Sequence, residues 1–489
     1  MRTLVMLMDS LNRHMLPAYG NTWVKTPNID RLAAQGVVFE KHYCGSMPCI
    51  PARRDLLTGR LNFLETGWGP LEPWDDILPN LLRAKSGTYS HMITDHCHYF
   101  NAGGAGDRYH NTFDSWEYFR GQTWDPWHGV VNPKPLPPGA RKYCYGKAYF
   151  RQHLANLEYR DAENDGSYPS VQCIEAACKF IERNHGDDNW HLHLELFSPH
   201  EPFDCPQAYL DDYGDTWAGP PTTCPDYAPL DKEKDTDEAV QHLRRAYAAT
   251  LTMCDRKLGR LFDMMDRFNM WEDTAVILTT DHGYLLGEHG LWAKNYMLCY
   301  DELVHLPLII RHPDAVPGRR QALTGTMDIM PTILNMQGIT DIPGTVMGKS
   351  LLPLLNKDGA HHAGLLFGYF GREVNMTDGR YTYHRMPVPG SVCDYHFTDF
   401  NLAGPDTVKQ AVLGTHLTHC KGIPHFRARR KSIIPKGCEG HHLIYDTLND
   451  PRQESPLTDS ALENELAKKL KDLLRQADAP ESQFKRLSL

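Results

Sequence analysis

The chain has 489 residues, 41% hydrophobic and 23% charged, with 51 Lys and Arg against 61 Asp and Glu and a formal net charge of −10. At ~150 residues per domain this is room for about three domain-sized units, or fewer large ones, with a core that needs no disulfide staples. The composition excludes a disordered chain, the acidic balance argues against nucleic acid as a partner, and no apolar run approaches the ~18 residues that cross a bilayer, so no membrane is expected.

The first ten residues, MRTLVMLMDS, lack a small-residue cleavage site and break at Asp9, too early for a signal peptide. They read as a first core strand, and a cytoplasmic location is expected. The 13 cysteines, scattered and without CxxC pairs, do not form a secreted disulfide framework. Along the chain one plan repeats: an apolar strand followed at once by polar chemistry. Leu4–Met8 ends at Asp9. Tyr89–Ile93 leads into Thr94-Asp95-His96-Cys97-His98. His191–Phe197 alternates around leucines and ends at Ser198-Pro199-His200. Ala275–Leu278 runs past Thr279 and Thr280 to Asp281-His282-Gly283. Such short apolar runs suit buried parallel strands. The clearest helix is Thr236–Phe268, with Leu243, Tyr247, Leu251, Cys254, Leu258 and Leu261 at helical spacing. Strands alternating with helices predict an α/β fold with helices on both faces, and ligands in such sheets gather beyond the carboxyl ends of the strands. All four polar clusters are therefore expected at one edge.

Two stretches break the plan. Gly103–Pro138, with Trp116, Trp124 and Trp127, reads as a long excursion from the sheet edge; its tryptophans are equally core packing or a platform for a sugar. From about Gly364, RYTYHRM and HHLIYDTLNDP look like short antiparallel strands, and a final helix carries Leu462, Leu466, Leu470, Leu473 and Leu474 on one face. The expected division is a catalytic domain over residues 1–363 and a smaller C-terminal α+β domain over 364–489. The basic run Phe426–Lys431 within the latter is read as a solvated loop rather than an anion site.

The most informative string is Cys49-Ile50-Pro51-Ala52-Arg53, continuing Arg54-Asp55-Leu56-Leu57-Thr58-Gly59-Arg60. Pro51 fits the first turn of a helix, where its missing N–H costs nothing. Cys49 then sits at the helix N-terminus, where backbone amides and the dipole favour an anion, and Arg53 lies one turn on. Alone, a cysteine at a helix start is most simply a buried inert thiol.

The full string resembles the signature of the type I sulfatases of the alkaline-phosphatase-like superfamily, C-x-P-x-R followed by L-T-G-R. Thr26–Ala33, the strings Asp281–Gly283 and Leu286–Gly290 with Lys294 following, Ser198–Phe203, Asp328–Thr332, Gly348–Leu351, Asp378–Tyr381 and Ile444–Pro451 resemble further family segments. The resemblance implies a large mixed, mostly parallel sheet sandwiched by helices, followed by a smaller domain with an antiparallel sheet and a terminal helix. It implies a sulfuric ester hydrolase in which Cys49 is oxidised to Cα-formylglycine by a formylglycine-generating maturation enzyme. One divalent cation is implied, held by Asp9, Cys49, Asp281 and His282: calcium first, with manganese or zinc suited by the imidazole. Of the two hydroxyls of the hydrated aldehyde, the ionised one attacks sulfur; the second, deprotonated by His98, expels sulfate. Arg53 holds the hydrate, while His200 and Lys294 flank the leaving oxygen, one protonating it and the other binding the sulfate charge. Two positions depart from the family. Ser10 replaces a second carboxylate next to Asp9, and His96 replaces a sulfate-binding lysine and inherits that substrate-binding role. Glu288 and His289 are read as supporting the site. The expected substrate is a sulfated carbohydrate or a small aryl or alkyl sulfate. The nearest rival is a phosphonate monoester hydrolase or phosphodiesterase of the same superfamily. A third reading is a non-catalytic carbohydrate-binding homologue, which requires Cys49 to remain a thiol.

Overall fold

The computed structural model describes residues 1–100, 108–135, 147–220 and 222–489. In chain order the strands are β1 (Arg2–Met8), β2 (Val37–Tyr43), β3 (Ser46–Met47), β4 (Tyr89–Thr94), β5 (Ser115–Tyr118), β6 (Trp190–Leu196), β7 (Thr274–Thr279), β8 (Leu285–Leu286), β9 (Trp292–Ala293), β10 (His305–Arg311) and β11 (Gly318–Gly325). They continue with β12 (Leu365–Tyr369), β13 (Val374–Thr377), β14 (Tyr381–Arg385), β15 (Val392–Phe397), β16 (Val412–Gly414), β17 (His425–Lys431) and β18 (Leu443–Asp446).

Eight strands form the main sheet in the order β11-β2-β10-β7-β1-β6-β4-β5. Both neighbours of β10 pair with it antiparallel, and every other pairing in this sheet is parallel. Alternation along β1 explains its unbroken apolar sequence. Leu4, Met6 and Met8 enter one core with the helices Pro169–Asn184 and Asp237–Arg267. Val5 and Leu7 enter another with Ile50, Leu56, Leu78 and Ile333, from helices on the opposite face. A strand buried on both faces has no polar side to show, and each fully buried Leu or Met contributes ~1.5–3 kcal/mol. The helix predicted over 236–268 spans Asp237–Arg267, with the Thr236 hydroxyl accepting from Ala239 N at 3.3 Å.

The second sheet, β18-β14-β13-β12-β3, is antiparallel except at its edge, where β3 pairs parallel to β12 through Ser46–Gly368 and Met47–Tyr369. Two residues from the N-terminal part of the chain, immediately before Pro48-Cys49, therefore belong to the C-terminal sheet. The helix Ser460–Gln476 packs Leu466, Leu470 and Leu474 onto this sheet's core, and a further helix, Glu481–Leu487, closes the chain.

Two sequence expectations are corrected. The basic run 426–431 is not a loop: it forms most of β17, the central strand of a three-stranded antiparallel sheet ordered β15-β17-β16. The Arg430 guanidinium lies 4.6 Å from the Tyr395 ring centroid, so an arginine stem covers aromatic surface there. The excursion 103–138, described only in part, contributes the sheet-edge strand β5. Among the described residues all twelve cysteines are free thiols and no helix is long and apolar enough to cross a membrane.

Candidate active site

The parallel strands β1, β4, β6 and β7 deliver Asp9, His96 with His98, His200, and Asp281 with His282 to one edge of the main sheet. From below this edge rises the helix Cys49–Thr58, every residue of which is buried. It begins at Cys49 and stops at Gly59, whose φ of +63° gives the left-handed turn that lets its N–H reach Asp55 O at 2.8 Å. The Asp55 carboxylate bonds back to Ser46 N at 2.6 Å and to the Ser46 hydroxyl at 2.9 Å, fixing the approach to Cys49.

Asp9, Cys49, Asp281 and His282 are all buried, and each offers one ligand atom within 4.8 Å of the others. Cys49 Sγ lies 3.1 Å from His282 Nε2. His282 Nδ1 is 2.9 Å from the Gly283 carbonyl. A carbonyl only accepts, so Nδ1 carries the proton and Nε2 presents its lone pair toward Cys49. Gly283 is demanded here: a Cβ would stand 1.9 Å from the Glu302 carbonyl oxygen. Two carboxylates, an oriented imidazole and the position-49 side chain suit a divalent cation.

Arg53 is the hub of the site. Its guanidinium reaches Asp9 Oδ2 at 2.8 Å, Asp281 Oδ2, Glu195 Oε1, and the Cys49 carbonyl at 3.0 Å. Glu195 also accepts from Thr94 Oγ1 at 3.1 Å and the Tyr99 hydroxyl at 3.3 Å. Lys294 Nζ donates to Ser10 Oγ at 2.8 Å, and that hydroxyl donates to Asp9 Oδ1 at 2.8 Å. Ser10 thus relays between the lysine and the aspartate, while its backbone N–H, at a φ of +61°, bonds Asp281 Oδ1 at 3.0 Å.

Charge balance follows from burial and neighbours. Burial pushes the Asp9 carboxyl up, but the Arg53 and Lys294 cations and the Ser10 hydroxyl outweigh it and hold it well below the usual carboxylate range. Burial, reinforced by Asp9, drives the Cys49 thiol well above its ordinary value. Lys294 stays cationic: burial opposes its charge, while the acidic groups around it, Asp9 among them, raise it above the normal lysine value. Burial takes His98 down to about 3 and, with the positive charge of Lys294, takes His200 well below its ordinary value, so both rings are neutral. His200 Nδ1 is 2.7 Å from the Glu201 carbonyl, which leaves Nε2 as its free acceptor. His96 is fully buried and neutral, with Nδ1 3.8 Å from Asp9 Oδ2 and Nε2 3.3 Å from His98 Nδ1.

The three tryptophans of the excursion separate. Trp124 is buried, its ring 5.2 Å from His98 and 6.5 Å from His200. Trp116 and Trp127 are 44% and 46% exposed and pack on His110 and His128. Trp68 also meets His98, edge-on at 5.0 Å. The sequence reading missed Trp68, Glu195 and the relay through Ser10. Glu195 carried a signal: a carboxylate inside a fully buried strand must have a cationic partner.

The sulfatase family model matches residues 2–339. The chain belongs to the sulfatase family. It is an enzyme of the sulfatase hydrolase type. A choline-sulfatase of Rhizobium meliloti (strain 1021) is 25% identical over 390 residues, 72% of this chain and 71% of that one. An N-acetylglucosamine-6-O-sulfatase of Bacteroides thetaiotaomicron is 35% identical over 121 residues, 24% of this chain and 21% of that one. Among solved structures, the phosphonate monoester hydrolase of Agrobacterium radiobacter superposes with a TM-score of 0.67 at 19% identity, covering 97% of this sulfatase-family chain and 96% of its own. A protein solved with its substrate D-glucosamine-2-N,6-O-disulfate gives 0.65 at 17% identity, covering 98% of each chain. These two likenesses are of fold: a mixed, mostly parallel sheet between helices, with a smaller antiparallel-sheet region.

Proposed function

We propose that this chain hydrolyses the sulfate monoester of a carbohydrate, with position 49 as formylglycine supplying the nucleophile. The observation that carries the reading is the convergence of Asp9, Cys49, Asp281 and His282 with cationic Lys294 and neutral His98 and His200. Asp9, Asp281 and His282 would hold the divalent cation with the position-49 side chain; bound there, it lowers the pKa of a hydroxyl nucleophile and draws charge from the sulfate oxygens. Calcium suits the carboxylates, and manganese or zinc suits the imidazole. The chain's own residues do the rest. Arg53 fixes residue 49 through its backbone carbonyl and orients Asp9 and Asp281. Lys294 stays charged and binds the sulfate. His98, neutral, accepts a proton. His200 is kept neutral by burial and by Lys294, so an anionic sulfate beside Lys294 offsets that repulsion and raises the ring's affinity for the proton it passes to the leaving oxygen. His96 lines the sulfate side as an uncharged donor. Trp68 and Trp124 pack against His98 and give this side of the site an aromatic wall, and an N-acetylglucosamine-6-O-sulfatase is among the relatives.

A second reading, phosphonate monoester or phosphodiester hydrolysis, is favoured by the imidazoles at His96 and His282. Turnover of nitrophenyl sulfate, a phosphonate monoester and a phosphodiester by one preparation separates the two. Sulfate ester as the best substrate is expected, and preference for either phosphorus ester overturns the assignment.

Two further outcomes are expected. Complete removal of divalent cations should abolish turnover, and readdition should restore it; full activity in protein shown metal-free by elemental analysis contradicts the cation's role. His200→Ala should slow sugar or alkyl sulfates by ~10² to 10⁴-fold, the usual cost of losing a general acid, and nitrophenyl sulfate far less. Equal losses across leaving groups of different acidity remove His200 from that role.

A further inference from the structure

A second cluster of metal-type donors lies apart from the site just described. Asp328 follows β11, its carboxylate wholly buried. Oδ2 accepts from Gly325 N and Oδ1 from Lys349 N, each at 2.8 Å. Two consecutive histidines, His361 and His362, aim the same ring atom at it. His362 Nε2 is 2.9 Å from Oδ1 and 3.0 Å from Oδ2, and His361 Nε2 is 3.3 Å from Oδ2. Both imidazole side chains are only 8% exposed, and His361 Nε2 makes no hydrogen bond. Lys349 Nζ holds the backbone there by donating to the His361 carbonyl at 3.0 Å. A cavity of about 400 Å³ opens beside the pair, lined by both histidines with Lys41, Asp358 and Asp378.

The Asp328 carboxylate has lone pairs for both backbone N–H groups and for His362, but the His361 ring, 3.3 Å from Oδ2, is not aligned to use the one that remains. The His361 nitrogen is left buried and unsatisfied, a cost of ~1–3 kcal/mol. A divalent cation satisfies that nitrogen, because it takes a lone pair from each imidazole and the carboxylate charge together. Donor separations of 2.9 to 3.3 Å are close to the ~3.4 Å edge of a tetrahedron with ~2.05 Å bonds. The cavity leaves room for water in an open coordination position. Two nitrogens and one oxygen select zinc or a similar first-row ion over calcium or magnesium.

We infer that Asp328, His361 and His362 form a second divalent-cation site, of zinc type, independent of the cluster around Cys49. Its place in the fold gives it a structural consequence. Asp328 belongs to the turn leaving the main sheet, whereas His361 and His362 lie just before β12 of the second sheet. An ion here staples one sheet's exit to the other's entry, and its binding energy adds to the stability of the folded chain.

The test uses the full chain, stripped with a chelator and then dialysed against zinc alone, with bound metal counted by native mass spectrometry. His361→Gln with His362→Gln should bind one zinc fewer per chain than the parent, with an unchanged circular-dichroism spectrum. Zinc should raise the melting temperature of the parent more than that of the variant. Where the double variant does not fold, His361→Gln alone carries the same comparison. Equal zinc uptake by the parent and a folded variant overturns the site. Sulfate release should be the same in both once the active-site cation is restored, so the outcome does not depend on the proposed reaction.

Discussion

Cys49→Ala should release no sulfate above background, a loss on the order of 10⁶-fold, the scale seen when a hydrolase loses its nucleophile. Protein from a host without a formylglycine-generating enzyme should be nearly as inactive while folding and binding metal normally. The reason lies in what sulfur can do at this position. Attack by a thiolate on a sulfate ester gives a thiosulfate-type adduct with no neighbouring hydroxyl to release it. The Cys49 thiol is in any case buried beside Asp9, which holds it in the neutral form. A hydrated aldehyde would supply both the attacking and the expelling oxygen. Activity should therefore rise in proportion to the fraction of the peptide spanning Cys49 that mass spectrometry finds converted. Full multiple turnover from wholly unmodified cysteine refutes the mechanism and leaves the fold untouched.

The second large effect belongs to Arg53. Arg53→Met removes the guanidinium that contacts Asp9, Asp281 and Glu195, all three wholly buried. Stranding buried carboxylates costs ~3–5 kcal/mol, so metal-free Arg53→Met should unfold at clearly lower urea concentration than the parent. The pH dependence has a definite sign. With Arg53 present, Asp9 titrates below its unfolded value, so it stabilises the fold above that value and loses the contribution as pH falls. Without Arg53, Asp9 loses the largest charge opposing its burial and Glu195, whose carboxyl burial already raises, is raised further, which penalises the fold increasingly as pH rises. The deficit of the variant should accordingly shrink between pH 7 and pH 5. A divalent cation should recover part of it by neutralising Asp9 and Asp281, but not the part due to Glu195. Unchanged stability at pH 7 would mean that Arg53 does not neutralise this cluster.

Much of this arrangement is legible in the sequence, for identifiable reasons. Strands buried on both faces, such as Leu4–Met8 and Ala275–Leu278, must be continuous apolar runs, and the polar residues ending them must lie at one edge if the strands are parallel. Cys49 and Arg53 are four residues apart on a helix whose first turn accommodates Pro51, so local geometry places them. Trp68 could not be read this way. It meets His98 only through folding, and nothing local marks it. β17 was hidden because its alternation is between aromatic or small residues and arginines, whose long stems cover apolar surface while their charges suggest solvent. The pairing of β3 with β12 was equally invisible, since a two-residue strand has no period.

That last pairing sets a clock. Ser46 finds its partner Gly368 some 320 residues further along the chain. At translation rates of about 5–20 residues per second, Cys49 leaves the ribosome roughly 16–64 s before the strand that fixes the segment ahead of it exists. In the finished fold Cys49, Pro51 and Arg53 are buried within one helix, so an enzyme that recognises them as a short linear motif must meet them earlier. The segment just ahead of Cys49 is thus among the last parts of this edge to be pinned. Shortening the interval, for example by circular permutation that places β12 ahead of β3, should lower the converted fraction at constant maturation-enzyme concentration.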